Sequence, residues 1–224
     1  MNEIATFSIF KFDDFKSKFW ALSQMHFAHQ TLKTTKNQSF YKLMGSGKQG
    51  FRPWADFSTF ALFQVWDSIE AAEDFQQSST LFLKYQKNAS DVKTYFLQPL
   101  TIRGLWNTES IFKPTLPQKP GEKEAIVALT RASIRRSKLL KFWESVPSAN
   151  AILNAQKHLF YAKGFGELPF VQMATFSHWE THEAMLNYVY HSQGHRNAIQ
   201  KAREQNFFKE ELFATFRILA IKAY

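Results

Sequence analysis

Cysteine is missing from the 224 residues of the chain. Its absence excludes disulfides, thiolate-held metal ions, cysteine nucleophiles and a thiolate ligand for haem. Histidine is then the side chain best suited to any soft or borderline metal. Long apolar runs are missing too, because Lys, Asp or Gln interrupts every hydrophobic segment before it reaches the length of a membrane span. The segment from Met1 to Phe12 carries Glu3 and has no apolar run ending in small residues. No secretory signal is therefore expected, and a bacterial-type cytoplasm is the default location. The orders H-E-x-x-H and G-x-S-x-G do not occur, which argues against zinc-dependent hydrolysis and a nucleophile-elbow hydrolase. There is no RRM signature, zinc finger or long Lys/Arg run. The net charge of +9 is dispersed along the chain, so a nucleic-acid partner is not expected. The densest basic stretch, Arg131 to Lys141, reads as the solvated start of a helix. The same charge suits anionic cofactor groups or a membrane surface.

Phenylalanine is abundant: 24 residues, against 6 Trp and 7 Tyr. Most of this excess is expected to pack the interior. The remainder is expected to line an apolar pocket for a hydrophobic ligand, since such pockets are mostly apolar with few polar groups.

The chain repeats itself. Lys18-Phe19-Trp20 recurs as Lys141-Phe142-Trp143, each after a strand-like run. Phe40-Tyr41 leading to Gly45 and Gly47 is echoed by Phe160-Tyr161 leading to Gly164 and Gly166. The alternating run Thr59 to Trp66 with Asp67-Ser68-Ile69-Glu70-Ala71 matches Val171 to Trp179 with Glu180-Thr181-His182-Glu183-Ala184. Each half ends in a strand, Thr94 to Arg103 and Leu212 to Ala223. Within the first half, 4–12 and 60–66 have strand character, while 14–29 and 69–88 carry apolar residues at helical spacing. Asp67-Ser68 and Glu180-Thr181 are helix-opening pairs, with Glu70 and Glu183 in the first turns. The order β-α-β-β-α-β is the ferredoxin-like split βαβ arrangement, whose sheet has one bare face. Two such sheets burying their bare faces together predict an α+β chain: a tandem duplication forming a barrel with a cavity between the sheets. The expected organisation is a first half over 1–109, a linker over 110–124 containing Pro114, Pro117, Pro120 and Gly121, and a second half over 125–224.

Gly45-Ser46-Gly47-Lys48-Gln49-Gly50 spells G-x-G-x-x-G, but Phe51-Arg52-Pro53-Trp54 follows where a dinucleotide site needs a helix. A flexible loop after the second strand is the expectation there. Two i,i+4 histidine pairs occur, His178/His182 and His191/His195. His195 stands out because His195, Ala198, Ile199 and Ala202 share one face of a short helix that Ser192 caps and Gly194 separates from its predecessor. Taken alone, that pattern fits a core or helix-terminal histidine first. Its second reading is an imidazole projecting over something flat and large, such as a porphyrin, with Ala giving clearance. Glu167, beside the glycine turn Gly164 to Gly166, is either an exposed loop carboxylate or a group at the cavity mouth.

Longer stretches carry a family resemblance. They are Ser23-Gln24-Met25; Tyr41 to Gly47 with Gly50-Phe51; and Ala128-Leu129-Thr130-Arg131-Ala132-Ser133-Ile134-Arg135. Phe142-Trp143 with Val146-Pro147 follows, then Lys163-x-Gly-x-Gly-Glu167-x-Pro169, then Gly194-x-x-x-Ala198-Ile199 around His195. The last is Phe208-x-Glu210-Glu211-Leu212-x-Ala214 with Phe216-Arg217. In this order, over nearly the whole length, the chain resembles the spheroidene monooxygenase family of carotenoid-modifying enzymes, departing from it at Phe207 and Thr215. The resemblance implies the dimeric α+β barrel superfamily, shared with haem enzymes such as chlorite dismutase. It also implies an oxygenase with haem b that uses O₂ to hydroxylate and then ketolate an acyclic carotenoid. On this reading His195 points into the apolar chamber between the sheets as the axial ligand of the iron, and Arg217 and Arg131 hold the haem propionates. Glu167 and Lys163 are candidate catalytic residues, with Lys163 also within the propionate set. An external donor such as a ferredoxin would supply electrons. Peripheral contact with the inner membrane and a homodimer are both compatible with it. Two alternatives stay open at this stage: a haem-binding or haem-handling protein without oxygenase activity, and a cofactor-free α+β barrel oxygenase.

Overall fold

The computed structural model describes residues 3–48, 54–113, 119–121 and 123–224, and not the side chains of 148–150. Gln49 and Gly50 of the glycine motif, with Phe51, Arg52 and Pro53 after it, and Pro114 and Pro117 of the expected linker lie outside the described residues.

The first strand, β1 (Ile4–Lys11), alternates residues between two apolar surroundings and is buried along all but its last residue. It leads into α1 (Phe15–Leu32), which starts at Asp14, whose carboxylate accepts the Ser17 N–H. Next come β2 (Gln38–Gly47), β3 (Ala55–Trp66), α2 (Ile69–Ser78), α3 (Thr80–Asn88) and β4 (Asp91–Gly104). The single helix expected over 69–88 is two, because Ser79 takes an extended conformation and caps the second. The same order then recurs: β5 (Ile126–Ile134), a 3₁₀ turn, α4 (Leu139–Asn154), β6 (Leu159–Leu168), β7 (Gln172–Trp179), α5 (His182–His191), α6 (Gln193–Glu204) and β8 (Phe208–Ala223). Ser68 and Thr181 cap α2 and α5 as expected.

The eight strands form one closed antiparallel barrel in the order β1-β3-β2-β6-β7-β5-β8-β4, with β4 pairing back to β1. The two runs of strands meet at β4–β8 and at β2–β6, where Gly45 faces Gly166. The glycines of the G-x-G motif therefore lie inside a paired strand, where the sequence suggested a loop after it. Each strand has a neighbour on both sides, though the β2–β6 seam pairs only Gly45 with Gly166 and Ser46 with Phe165.

Strand alternation sorts the side chains into three apolar clusters. Inside the barrel, Phe7, Phe63, Phe165, Phe176 and Phe216 are fully buried, and Phe7 stacks on Phe176 at 4.3 Å. The expected cavity between the sheets is thus filled by phenylalanine rings, and the aromatic excess is core packing there. Outside the barrel, α1, α2 and α3 cover one part of the sheet over Leu43, Phe60, Leu62, Trp66 and Phe96. The second-half helices cover the rest over Ile126, Ala128, Trp179 and Leu100. Among the described residues no helix is long and apolar enough to cross a membrane.

Candidate functional site

The five residues singled out in the sequence fall in three places. On β5, Thr130 faces outward and Arg131 inward, so Arg131 sits inside the barrel near the end that carries Gly104, only 2% exposed. There it pairs with Glu210 of β8, approaches Glu167 of β6 at 3.5 Å and donates to Asn107 Oδ1 at 2.9 Å. Its guanidinium lies 5.7 Å from the Trp106 ring. Glu167 also accepts the Trp106 indole N–H at 2.7 Å and pairs with Lys42 at 3.0 Å. Glu167 is a buried-rim carboxylate inside the barrel, not a group on an exposed loop.

The loop after β4 completes this cluster. Asn107 and Thr108 have φ of 54° and 67°, and both backbone N–H groups point at the Glu210 carboxylate, at 2.8 and 2.6 Å. Burial alone would raise the Glu210 pKa. These N–H groups and Arg131 outweigh that and hold it below the usual range. Gly104, at φ +92°, makes the turn possible, since a Cβ there would meet the Glu211 carbonyl oxygen at 2.1 Å. Two cations and two carboxylates thus seal this end of the barrel. Sequence reading missed Trp106, Lys42 and Glu210 as members, because the cluster draws its five side chains from four strands and the loop after β4.

Lys163 also points inward, but at the opposite end, which carries Lys11 and Asp91. It pairs with Asp56 at 2.9 Å. Burial pushes the Asp56 carboxyl up, but the hydrogen bonds from Ser58 and Lys163 prevail and its pKa is lowered. Beside it lie Tyr95, Tyr161 and His178. His178 is held neutral by burial and by the nearby Lys93 charge. The Tyr161 hydroxyl is buried with no protein partner among the described residues.

His195 lies outside the barrel on α6, and does not point into the space between the sheets. Its ring packs on Tyr188 of α5 at 4.5 Å, and Tyr188 packs on Trp179 at 5.2 Å. Burial lowers the His195 pKa, so the imidazole is neutral at pH 7. It is only half-buried, and no hydrogen bond to it occurs among the described residues. Arg217 stands on the same outer face, on β8, where Glu124 and Gln98 engage it. Arg131, Glu167 and Lys163 lie through the sheet from His195 and cannot share a ligand with it. Of the expected set, then, only Arg131 with Glu167 is brought into contact, and only Arg217 shares His195's side of the sheet.

The surface under α4 and α6 is loosely covered. Thr130 is exposed, and Ala132, Ala162, Thr175 and Phe213 on the same outer face are half-buried. Among described side chains α4 buries Leu153 alone and α6 buries none. Neither helix has a side-chain cap, and Pro147 interrupts the hydrogen bonding of α4. Ser192 does begin α6, but without the expected capping bond. Gly194 serves a close approach, because a Cβ there would meet Ile152 Cδ1 of α4 at 2.0 Å. No group of three or more His, Asp or Glu suited to a bare metal ion occurs among the described residues. A porphyrin iron needs only one axial imidazole from the protein. His195, neutral, outside the barrel and with no hydrogen bond among the described residues, can supply one.

No family model matches the chain. Curated relatives do. A spheroidene monooxygenase of Rhodobacter capsulatus is 34% identical over 217 residues, covering 96% of this chain and 90% of the relative. One of Cereibacter sphaeroides is 33% identical over 219 residues, covering 97% of this chain and 67% of the relative. Among solved structures, an aldoxime dehydratase superposes with a TM-score of 0.65 at 8% identity, over 96% of this chain and 81% of that one, and shows the likeness of fold.

Proposed function

The chain belongs to the spheroidene monooxygenase family, and on that premise we propose that it is a haem-dependent monooxygenase acting on an acyclic carotenoid or a similar long apolar molecule. The observation that carries the haem assignment is His195: neutral, half-buried, free of hydrogen bonds among the described residues, and outside the barrel on a helix that buries none of its own side chains. His195 would hold the iron on one side of the porphyrin. Arg217, already on that face, would exchange part of its pairing with Glu124 for a propionate. The bound group would supply activation of O₂, one oxygen atom entering the substrate and the other leaving as water with two electrons and two protons from an external donor.

The chain's own residues supply binding and exclusion. Ala132, Ala162, Thr130 and Thr175 present a surface without bulky side chains, which suits a flat ring. Buried Tyr188, itself packed on Trp179, lies against the imidazole and shields that side from water. Low polarity keeps the histidine unprotonated and therefore able to donate its lone pair. Glu167, Arg131 and Lys163 have no part in that site. Their pairings hold the barrel whose outer face carries it.

Purified protein titrated with haemin is expected to develop a Soret band that His195→Ala removes or shifts, while His178→Ala leaves it in place. With a ferredoxin-type donor and O₂, an acyclic carotenoid should gain one oxygen atom. Bound haem without product would favour a haem-handling protein. Turnover by haem-free protein would favour a cofactor-free oxygenase.

A further inference from the structure

Helix α1 has two apolar faces, and the fold uses only one. Ser17, Ala21, Ala28 and Leu32 are buried against the sheet. Phe15, Phe19 and Leu22, at i, i+4 and i+7, form a line on the other side, 84%, 66% and 43% exposed. The fold does not require this line. On α4, which repeats the Lys-Phe-Trp motif, Phe142 corresponds to Phe19 and is half-buried against Phe207 and Phe208, while Ser145 corresponds to Leu22.

The line begins at the barrel end that carries Lys11 and Asp91, because the Phe12 N–H is bound to the Ser58 carbonyl there. Trp54 and Phe57, at that same end, are 64% and 52% exposed. Lys16 and Lys18 border the line, with no acidic residue in the first turn of α1; the exposed Asp13 and Asp14 precede it, and Lys18 Nζ donates to the Asp13 carbonyl at 2.8 Å. Exposed aromatic rings flanked by lysines are the chemistry of a helix lying in the headgroup region of an anionic bilayer: rings enter the acyl boundary and ammonium groups meet lipid phosphates. A bare apolar line of this size is otherwise a liability in water.

We propose that α1, with the adjoining barrel end, docks the protein on an anionic membrane surface. The choice of occupant rests on the reading of the substrate as a long apolar molecule, which would be dissolved in that bilayer.

The test is sedimentation of the whole chain with vesicles of phosphatidylcholine alone or mixed with phosphatidylglycerol, at low and high salt. Wild type is expected to bind the mixed vesicles and to be released by salt. Phe15→Ser with Phe19→Ser should weaken binding about tenfold or more, and Lys16→Glu with Lys18→Glu should abolish the preference for the anionic lipid. Both double variants should keep the wild-type fold and mass in solution, because Phe15, Lys16 and Phe19 are exposed and Lys18 gives up only an exposed hydrogen bond to the Asp13 carbonyl. Equal binding by the phenylalanine variant, or no vesicle binding by wild type, would overturn the proposal. So would a wild-type dimer that the phenylalanine variant converts to monomer. Vesicle binding needs no turnover, so it stands or falls separately from the oxygenase reading. An enzyme active on detergent-dispersed carotenoid but indifferent to vesicles would refute the docking surface alone.

Discussion

The same order of elements appears on both sides of the chain, yet the two outer helical layers are packed to different standards. In the first, α1, α2 and α3 each have a capping side chain, and Phe75, Phe82, Tyr85 and Trp66 close the layer over fully covered strands. In the second, α4 and α6 lack caps, α4 carries Pro147, and the strands beneath include the exposed Thr130. Stability is distributed unevenly in such a fold, and ligand-binding elements come from its weaker part. The contrast marks where a large ligand can enter with least loss of packing.

The contrast can be sharpened first by truncation. Phe82→Ala in the first layer is expected to cost about 3–5 kcal/mol. In the second layer, Phe142→Ala at a half-buried position should cost about 1 kcal/mol. Urea denaturation measures both, and equal losses would break the comparison. Next in size is Gly194→Ala, which drives a methyl into Ile152 and should cost about 1–3 kcal/mol. Ile152→Ala should restore much of that loss in the double variant, because it empties the contested space. Smaller still is Ser68→Ala at the cap of α2, about 1 kcal/mol, whereas Ser192→Ala at the start of α6 should be nearly neutral because no capping bond exists there.

The smallest effect is a pH dependence. Burial lowers the pKa of folded His195 below its ordinary 6.5. The unfolded chain therefore takes up this proton first. The contribution of neutral His195 is complete above the ordinary value and is lost as pH falls through it towards the folded value. Stability between pH 7 and pH 5 should fall less steeply in His195→Gln than in wild type. An unchanged slope would show the imidazole to be solvated.

Much of the architecture was legible from period alone. Alternation located the strands, and the repeated Lys-Phe-Trp and Gly-x-Gly segments placed matching elements in order. Three features were not legible, for distinct reasons. Alternation shows that Thr130 and Arg131 face opposite ways, but only closure of the barrel decides which one is inside, so Arg131 could be assigned to a propionate. Phenylalanine content cannot separate a lined cavity from a filled core, and Phe7 on Phe176 fills it. The Trp106 loop depends on contacts with Glu210 and Glu167, residues far along the chain, and nothing local to Trp106 signals them. His195 was found because its helix face is small and apolar, a local property. Its position outside the barrel was not.

Hydrogen exchange of the whole chain with and without haemin tests the unequal layers and the role of His195 together. Haemin is expected to slow exchange in α4 and α6, to leave α1, α2 and α3 unchanged, and to do neither in His195→Ala. Protection confined to the first layer or the barrel ends, or equal protection in His195→Ala, would contradict the assignment of the ligand to the loosely covered face.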